Sequence, residues 1–252
     1  MHSAVQGSNP WLSTTRPNPD ARVRLFCLPY AGGGATAYRT WHAHLPADVE
    51  VCAVQLPGRE NRFPEPPFTN LLELARALPG HLLPSLDRPF ALFGHSMGAQ
   101  IAYELARQLV RQYGRTPTHV FVSGSGAPDL PRRDAYIHTL PRDEAFLAEL
   151  HRRYNQIPAI MFEDAELREL YVRLLRADLM LAETYRCADP VPLPCPIVAL
   201  GGEQDRGAPP EDLRAWQTLT DAAFSVHLFR GGHFYFSERV QPLLATISHY
   251  LA

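Results

Sequence analysis

A serine between glycines, in Gly94-His95-Ser96-Met97-Gly98, is the side chain of this sequence best placed to act as a nucleophile. The apolar residues 90–93 before it have strand character, and apolar residues recur at helical spacing after it. Between a strand and a helix, Gly-x-Ser-x-Gly presents the hydroxyl at the tip of a strained turn, above the partial positive charge of the helix N-terminus. We therefore predict that Ser96 attacks a carbonyl carbon.

A serine hydroxyl is a weak nucleophile, so it needs a base to take its proton and a carboxylate to orient that base. His233 follows two glycines after the last strand-like run, residues 224–229. Asp205 lies at the end of a glycine-containing loop after the strand-like run at residues 197–200. Ser, Asp, His is also the chain order of the α/β-hydrolase architecture. We predict Ser96 as nucleophile, His233 as general base and then acid, and Asp205 as the residue that orients His233.

The base and the acid both have competitors. His95 adjoins the serine, but neighbours along such a turn point in different directions, so we expect it to shape the turn. Asp129 follows the strand-like run that ends at residue 123, and some hydrolases take their carboxylate from that strand. Asp178, in a helical segment, is a further candidate. Asp205 is preferred, and the other two carboxylates remain alternatives.

The tetrahedral intermediate of such a reaction needs two N–H donors. One is predicted to be the backbone of Met97, directly after the nucleophile. The second is predicted to come from the loop Tyr30-Ala31-Gly32-Gly33-Gly34, where Ala31 is our choice and the glycines let the backbone approach closely. A phosphate-binding loop is the alternative, but the segment lacks Gly-x-Gly-x-x-Gly and the chain contains no lysine.

Strand-like and helix-like segments alternate along most of the chain. Strands are predicted at residues 22–28, 49–54, 90–93, 119–123, 197–200 and 224–229, and helices at 35–45, 71–82, after 97, at 213–219 and near the C-terminus. Such alternation indicates an α/β fold, with a mostly parallel sheet flanked by helices and ligands at the carboxyl ends of the strands.

The alternation stops between residues 129 and 188, where apolar residues mark two or more amphipathic helices. We expect residues 21–252 to form one α/β-hydrolase domain in which residues 129–188 are a helical lid insertion over the serine. Helices that only bury more of the sheet are the alternative. Residues 1–20, rich in Ser, Thr, Asn and Pro, are expected to be a flexible tail.

Composition narrows the classes of partner. The 252 residues carry a formal net charge of −2, which gives no electrostatic case for nucleic acid or an anionic membrane. The cysteines at positions 27, 52, 187 and 195 lack metal-binding spacing and are expected to be reduced thiols. The sequence shows no leader pattern and no long apolar run, so we expect a cytoplasmic protein. We also expect a monomer without a metal or other cofactor.

Seven short motifs are spread over the chain: Pro29-Tyr30-Ala31-Gly32-Gly33-Gly34, Gln55-Leu56-Pro57-Gly58-Arg59-Glu60, Gly94-His95-Ser96-Met97-Gly98, Leu175-Arg176-Ala177-Asp178, Glu183-Thr184-Tyr185, Gly201-Gly202-Glu203-Gln204-Asp205 and Gly232-His233-Phe234. In this order they resemble the motifs of type II thioesterases, the stand-alone partners of nonribosomal peptide and polyketide synthetases. One difference is the segment 154–158, where the family often has two glycines before the proline. Within the second motif, we expect Arg59 and Glu60 to form an ion pair that fixes their loop.

The resemblance implies hydrolysis of acyl thioesters on the phosphopantetheine arm of acyl or peptidyl carrier protein domains, an editing reaction that clears misprimed or stalled acyl groups. It places the family's triad on Ser96, Asp205 and His233, and its oxyanion donors on Ala31 and Met97. The residues themselves leave two other functions open. One is a general small-ester carboxylesterase, and the other is a non-catalytic scaffold that binds synthetases.

Overall fold

The computed structural model describes residues 9–132, 134–154 and 164–252. Its strands are β1 (Leu12–Ser13), β2 (Val23–Leu28), β3 (Val49–Val54), β4 (Phe90–His95), β5 (Val120–Ser123), β6 (Ile197–Gly202) and β7 (Phe224–Phe229). They form one sheet in the order β1-β3-β2-β4-β5-β6-β7. The pair β1–β3 is antiparallel and the other neighbouring pairs are parallel, which confirms the predicted mostly parallel sheet.

The α-helices of the described ranges are α1 (Leu71–Leu82), α2 (Met97–Tyr113), α3 (Asp143–Tyr154), α4 (Ala165–Thr184), α5 (Pro210–Arg214) and α6 (Gln241–Leu251). Short 3₁₀ helices lie at Ala35–Tyr38, Trp41–Ala43, Glu60–Arg62, Leu83–Ser85 and Ala215–Leu219. Within the part of the chain that the structure describes, no helix has the length and apolar character needed to cross a membrane.

Both faces of the sheet are covered, and β2 shows why its sequence is apolar throughout. Successive side chains of a strand point to opposite faces. Phe26 and Leu28 pack into the cluster that contains α1 and α2, whereas Leu25 and Cys27 pack into the cluster that contains α6. All four side chains are fully buried. A parallel strand buried on both faces therefore needs a continuous apolar run rather than an alternating one.

The helix predicted over residues 35–45 is wrong, because two short 3₁₀ helices occupy this segment. The Tyr38 hydroxyl donates a hydrogen bond to the Leu28 carbonyl at 2.6 Å, and the ring of Trp41 is buried beside it. The Ala35 N–H donates to the Gln55 side chain at 2.8 Å. These tertiary contacts hold the segment against the sheet and override its helix propensity.

Part of the segment predicted as a flexible tail lies on the sheet. β1 pairs with β3, and the buried ring of Trp11 stacks on His81 with the ring centroids 4.4 Å apart. The structure thus differs from the expectation within residues 9–20, whereas residues 1–8 lie outside the described residues. A strand of two residues is too short to show the alternation of apolar and polar residues from which strands are predicted.

Two helices, α3 and α4, are described between residues 129 and 188, in agreement with the helices predicted there. They pack against each other through a small apolar cluster separate from the two sheet cores, formed by Ile137, Phe146, Leu147, Leu150, Val172, Leu175 and Leu179. Residues 155–163, which include most of the segment that differs from the family motif, lie outside the described residues.

Candidate active site

Ser96 occupies the sharp turn between β4 and α2. Its φ of +55° is unusual for a residue with a side chain, and such a conformation costs about 1–3 kcal/mol. A Cβ atom at Gly94 would overlap the carbonyl group of Gly98, and one at Gly98 would overlap the carbonyl oxygen of Leu28. The two glycines thus let strand and helix approach each other closely enough to form the turn that exposes the Ser96 hydroxyl.

His233 and Asp205 are in direct contact. His233 Nδ1 lies 2.7 Å from Asp205 Oδ2, and both side chains are buried. The other carboxylate oxygen of Asp205 accepts a hydrogen bond from the Gly207 N–H at 2.9 Å. When Nδ1 carries the proton donated to the carboxylate, Nε2 of the neutral imidazole has a free lone pair. His233 is then in the tautomer that can accept a proton from a serine hydroxyl.

Four of the five predicted site residues line a cavity of about 520 Å³, and Asp205 lies behind His233 outside this lining. Ser96, His233, Ala31 and Met97 all contribute to its lining. Its apolar wall includes Leu150 of α3 and Leu175, Leu179 and Ala182 of α4. Among the described residues, no cluster of His, Cys, Asp and Glu side chains could hold a metal ion. The cavity therefore brings together the residues that carry the hydroxyl, the imidazole and the two predicted N–H donors, and its wall is of mixed polar and apolar character.

The two predicted oxyanion donors differ in how the chain presents them. Met97 is the first residue of α2, and a helix leaves its first N–H groups without an intrahelical partner. Ala31 lies in a turn that the Gly33 N–H closes by donating to the Tyr30 carbonyl at 2.9 Å. No described backbone carbonyl accepts a hydrogen bond from either N–H group. Within the described ranges, both N–H groups therefore lack a backbone acceptor, as a donor to a negatively charged oxygen must.

His95 lies behind His233, with the two ring centroids 4.8 Å apart. Its Nδ1 is 2.9 Å from the Ser123 hydroxyl, which in turn is 2.8 Å from the Tyr235 hydroxyl. Burial, with a smaller contribution from His233, holds the pKa of His95 well below its usual value. The imidazole is therefore neutral and packs beneath the site, which agrees with the expectation that it shapes the turn.

The other candidate carboxylates lie in different surroundings. Asp129 is exposed, whereas Asp178 is buried and forms two contacts of 2.8 Å with the Arg59 guanidinium. The predicted ion pair between Arg59 and Glu60 is wrong, since Glu60 instead accepts a hydrogen bond from the Thr36 N–H at 3.1 Å. Arg59 pairs with Asp178 on α4, 119 residues later in the chain. The sequence gives no sign of this pairing, because Glu60 offers a carboxylate directly beside Arg59.

Tyr154, the first residue of the segment 154–158, is a direct neighbour of His233. Its ring centroid lies 4.7 Å from that of His233, and burial raises the pKa of its hydroxyl to about 12. The phenol is thus neutral and packs on the imidazole as an aromatic ring. Tyr154 is the last residue of α3, and nothing in the helical pattern around it indicates a contact with His233.

Comparisons with known proteins agree with the fold and with the motifs. A family model described as Thioesterase domain matches residues 23–251. The chain is 43% identical over 230 residues to gramicidin S biosynthesis protein GrsT of Aneurinibacillus migulanus, covering 91% of this chain and 89% of the relative. It is 45% identical over 240 residues to linear gramicidin dehydrogenase LgrE of Brevibacillus parabrevis, covering 94% and 90%. The structure of the type II thioesterase BorB from the borrelidin biosynthetic cluster matches with a TM-score of 0.86 and 39% identity, covering 96% of this chain and 98% of BorB.

The name of the second relative describes a dehydrogenase, whereas the family model and the solved structure are those of thioesterases. The family model spans nearly all of the described fold, including every predicted site residue. The chain therefore belongs to the thioesterase family, among the type II thioesterases of nonribosomal peptide and polyketide biosynthesis, and is a thioester hydrolase with their α/β-hydrolase fold.

Proposed function

We propose that Ser96, His233 and Asp205 form a catalytic triad that hydrolyses acyl thioesters on the phosphopantetheine arm of acyl or peptidyl carrier protein domains. The observation that carries the proposal is the cavity that Ser96 shares with His233 and with the N–H-bearing residues Ala31 and Met97. Membership of the type II thioesterases supplies the substrate class. The names of two relatives refer to the biosynthesis of gramicidin S and borrelidin. These relatives support an editing role beside nonribosomal peptide or polyketide synthetases.

Acylation begins when His233 Nε2 takes the proton of the Ser96 hydroxyl as that oxygen attacks the thioester carbonyl carbon. Asp205 accepts the hydrogen bond from Nδ1 and stabilises the imidazolium. The N–H groups of Ala31 and Met97 bind the oxyanion. The C–S bond then breaks, and His233 returns the proton to the departing sulfur. A thiol has a pKa of about 8.5, so this leaving group needs less help from the acid than an alkoxide does.

Deacylation repeats the steps with water. His233 takes a proton from a water molecule whose oxygen attacks the acyl carbon of the Ser96 ester. The same two N–H groups bind the second oxyanion. When the ester bond breaks, His233 gives its proton to the serine oxygen and the carboxylic acid leaves. The hydroxyl and the neutral imidazole are thereby restored.

We propose further that residues 129–188 act as a lid over Ser96. Leu150 of α3 and Leu175 of α4 line the cavity, and Tyr154 packs on His233. Cover of this kind excludes water, and a drier site strengthens the hydrogen bonds that stabilise the oxyanion.

A cytoplasmic location is also part of the proposal. The four cysteines are free thiols, and each is buried in the folded chain. A protein with unpaired thiols suits a compartment in which glutathione and thioredoxin keep cysteines reduced.

The direct test uses carrier protein domains loaded with acetyl, aminoacyl and longer acyl groups, with the loss of the acyl group followed by mass spectrometry. We expect the wild-type protein to release acyl groups and Ser96→Ala to lose at least about 10³-fold in rate, since the hydroxyl is the nucleophile. Intact acyl carriers after incubation with the wild-type protein would contradict the proposal.

Two controls separate the other functions. Much faster turnover of free small esters than of carrier-bound thioesters would indicate a general carboxylesterase. Failure of a fluorophosphonate to label Ser96 would indicate a non-catalytic scaffold.

A further inference from the structure

A buried carboxylate on α4 reaches the loop that holds Ala31. Asp178 Oδ2 accepts a hydrogen bond from the Gly32 N–H at 2.7 Å and another from Arg59 Nη1 at 2.8 Å. Asp178 Oδ1 accepts from Arg59 Nη2 at 2.8 Å. Arg59 Nη1 also donates to the Gly33 carbonyl at 3.0 Å. The ion pair thus forms hydrogen bonds with the Gly32 N–H and the Gly33 carbonyl of the same loop. We call the two side chains the Arg59–Asp178 clamp.

The loop that the clamp contacts, residues 30–33, is a turn whose conformation depends on the orientation of one peptide unit. Gly33 N–H donates to the Tyr30 carbonyl, which makes Ala31 and Gly32 the central residues of a four-residue turn. Gly32 has φ +77°, the value that a type II turn requires at its third position. Types I and II differ by a flip of the central peptide, which here joins Ala31 to Gly32. Asp178 binds the N–H of that peptide and so selects one of its two orientations.

Packing against α4 leaves the loop little freedom to move as a whole. A Cβ atom at Gly32 would lie 2.8 Å from Leu175 Cδ2 and 3.3 Å from the Tyr171 hydroxyl. Asp178 and Arg59 are themselves only 1% and 4% exposed. The clamp therefore holds its geometry in a site that water does not reach.

We propose that Asp178 and Arg59 are positioning residues for the oxyanion hole, fixing the turn that presents the Ala31 N–H. The inference rests on the triad and oxyanion donors proposed above. An oxyanion hole accelerates a reaction because its donors are already oriented before charge develops. Without the carboxylate acceptor, the Ala31–Gly32 peptide can flip, which puts the Ala31 carbonyl oxygen where the Gly32 N–H now lies. That change alters the turn that holds the neighbouring Tyr30–Ala31 peptide, whose N–H is the proposed oxyanion donor. The helix α4 is thus part of the catalytic framework as well as a wall of the cavity.

The test compares Asp178→Asn with the double variant Arg59→Met/Asp178→Leu. The double variant removes both buried charges together and so avoids the larger loss of stability that one unpaired buried charge causes. For both we expect kcat to fall about 10- to 100-fold with KM unchanged, less than the loss of a complete oxyanion donor. The second-order rate of fluorophosphonate labelling at Ser96 should fall by the same factor. The shape of the pH–rate profile should stay that of the wild-type protein, because the imidazole and its carboxylate are intact.

Glu104→Gln is the matched control. Glu104 is also a buried carboxylate, bound to Arg107 at 2.6 Å and to the Tyr185 hydroxyl at 2.5 Å, and neither of these bonds reaches the Ala31 loop. We expect this variant to keep the wild-type kcat. Wild-type kcat and labelling rate in the double variant would overturn the inference, and so would an equal loss in Glu104→Gln. Because the labelling rate needs no acyl carrier, it tests the clamp even if carrier thioesters prove not to be the substrate.

Discussion

Two buried aspartates near the cavity have different partners, and the partner decides what each carboxylate can do. Asp205 faces an imidazole, with its Oδ2 2.7 Å from His233 Nδ1. Asp178 instead faces the guanidinium of Arg59, a group that offers only N–H donors and no acceptor. A carboxylate beside histidine sets the tautomer of a base, whereas one beside arginine can only hold geometry. This difference supports Asp205 over Asp178 as the residue that orients His233.

Asp205→Asn should lower kcat for acyl-thioester hydrolysis by about 10³- to 10⁴-fold, because an amide at this position favours the wrong tautomer of His233. Single-turnover acylation of Ser96 measures the loss directly. Asp129→Asn is the control, since Asp129 is exposed and lies outside the cavity lining. Full acylation by Asp205→Asn, or a comparable loss in Asp129→Asn, would show that the carboxylate comes from elsewhere.

At the scale of elements, α4 serves three parts of the molecule at once. Leu175 and Leu179 pack in the cluster shared with α3, and Leu181 packs in the core under the sheet. Asp178, on the same helix, holds Arg59, and breaking a buried pair of this kind by removing one partner costs about 3–5 kcal/mol. The helix is therefore fixed to the body of the protein at several points, and its inner surface can define the size of the acyl chamber.

Ala182→Leu should reduce the length of the longest acyl chain that the enzyme accepts. Ala182 is half-buried and lines the cavity, so the added carbons occupy space that a longer acyl chain needs. We expect kcat/KM for hexanoyl or octanoyl carrier thioesters to fall about 10-fold or more, and the value for acetyl to stay unchanged. Competition between acyl carriers in one mixture, read by mass spectrometry, measures the ratio.

Met180→Phe is the matched control for this prediction, because Met180 lies on α4 and is exposed. It enlarges a side chain of the same helix outside the cavity lining. The ratio of kcat/KM for octanoyl to kcat/KM for acetyl carrier thioesters should therefore stay that of the wild-type protein. An unchanged ratio in Ala182→Leu would show that the acyl group binds elsewhere.

At the scale of the whole molecule, the histidines couple stability to pH. Burial lowers the pKa of His95 well below 6.5, and partial burial lowers the pKa of His81, His119 and His227 in the same direction. The unfolded chain takes up protons at these imidazoles near pH 6.5, while the folded chain binds fewer. Protons therefore favour the unfolded state, and the free energy of unfolding falls as the pH drops below 6.5.

Urea unfolding between pH 7 and pH 5 should show this loss, and His95→Asn should reduce it. One imidazole that protonates only in the unfolded chain contributes a slope of up to about 1.4 kcal/mol per pH unit. The variant loses packing, so its absolute stability is lower, but the slope is the quantity compared. Equal slopes for the wild-type and variant proteins would mean that His95 does not control the pH dependence.

The sequence alone determined the features that depend on local pattern. The strand–turn–helix around Ser96 follows from the glycines at positions 94 and 98 and from the change of apolar periodicity between them. The carboxyl ends of parallel strands meet at one edge of a sheet, so the order of the elements also predicted that residues 205 and 233 would lie near residue 96. In the structure, the side chains of Asp205 and His233 are in contact.

Only the tertiary structure decided the features that depend on which distant groups meet. Arg59 stands beside Glu60 in the chain but pairs with Asp178, because the fold brings α4 onto the glycine loop and buries the guanidinium there. Residues 35–45 have a helical pattern, yet Tyr38 and Trp41 pack on the sheet and hold the segment in two 3₁₀ turns. Periodicity reports which face of an element is apolar and carries no information about the element that will cover it. The partners of buried charges and rings are therefore set by packing in three dimensions.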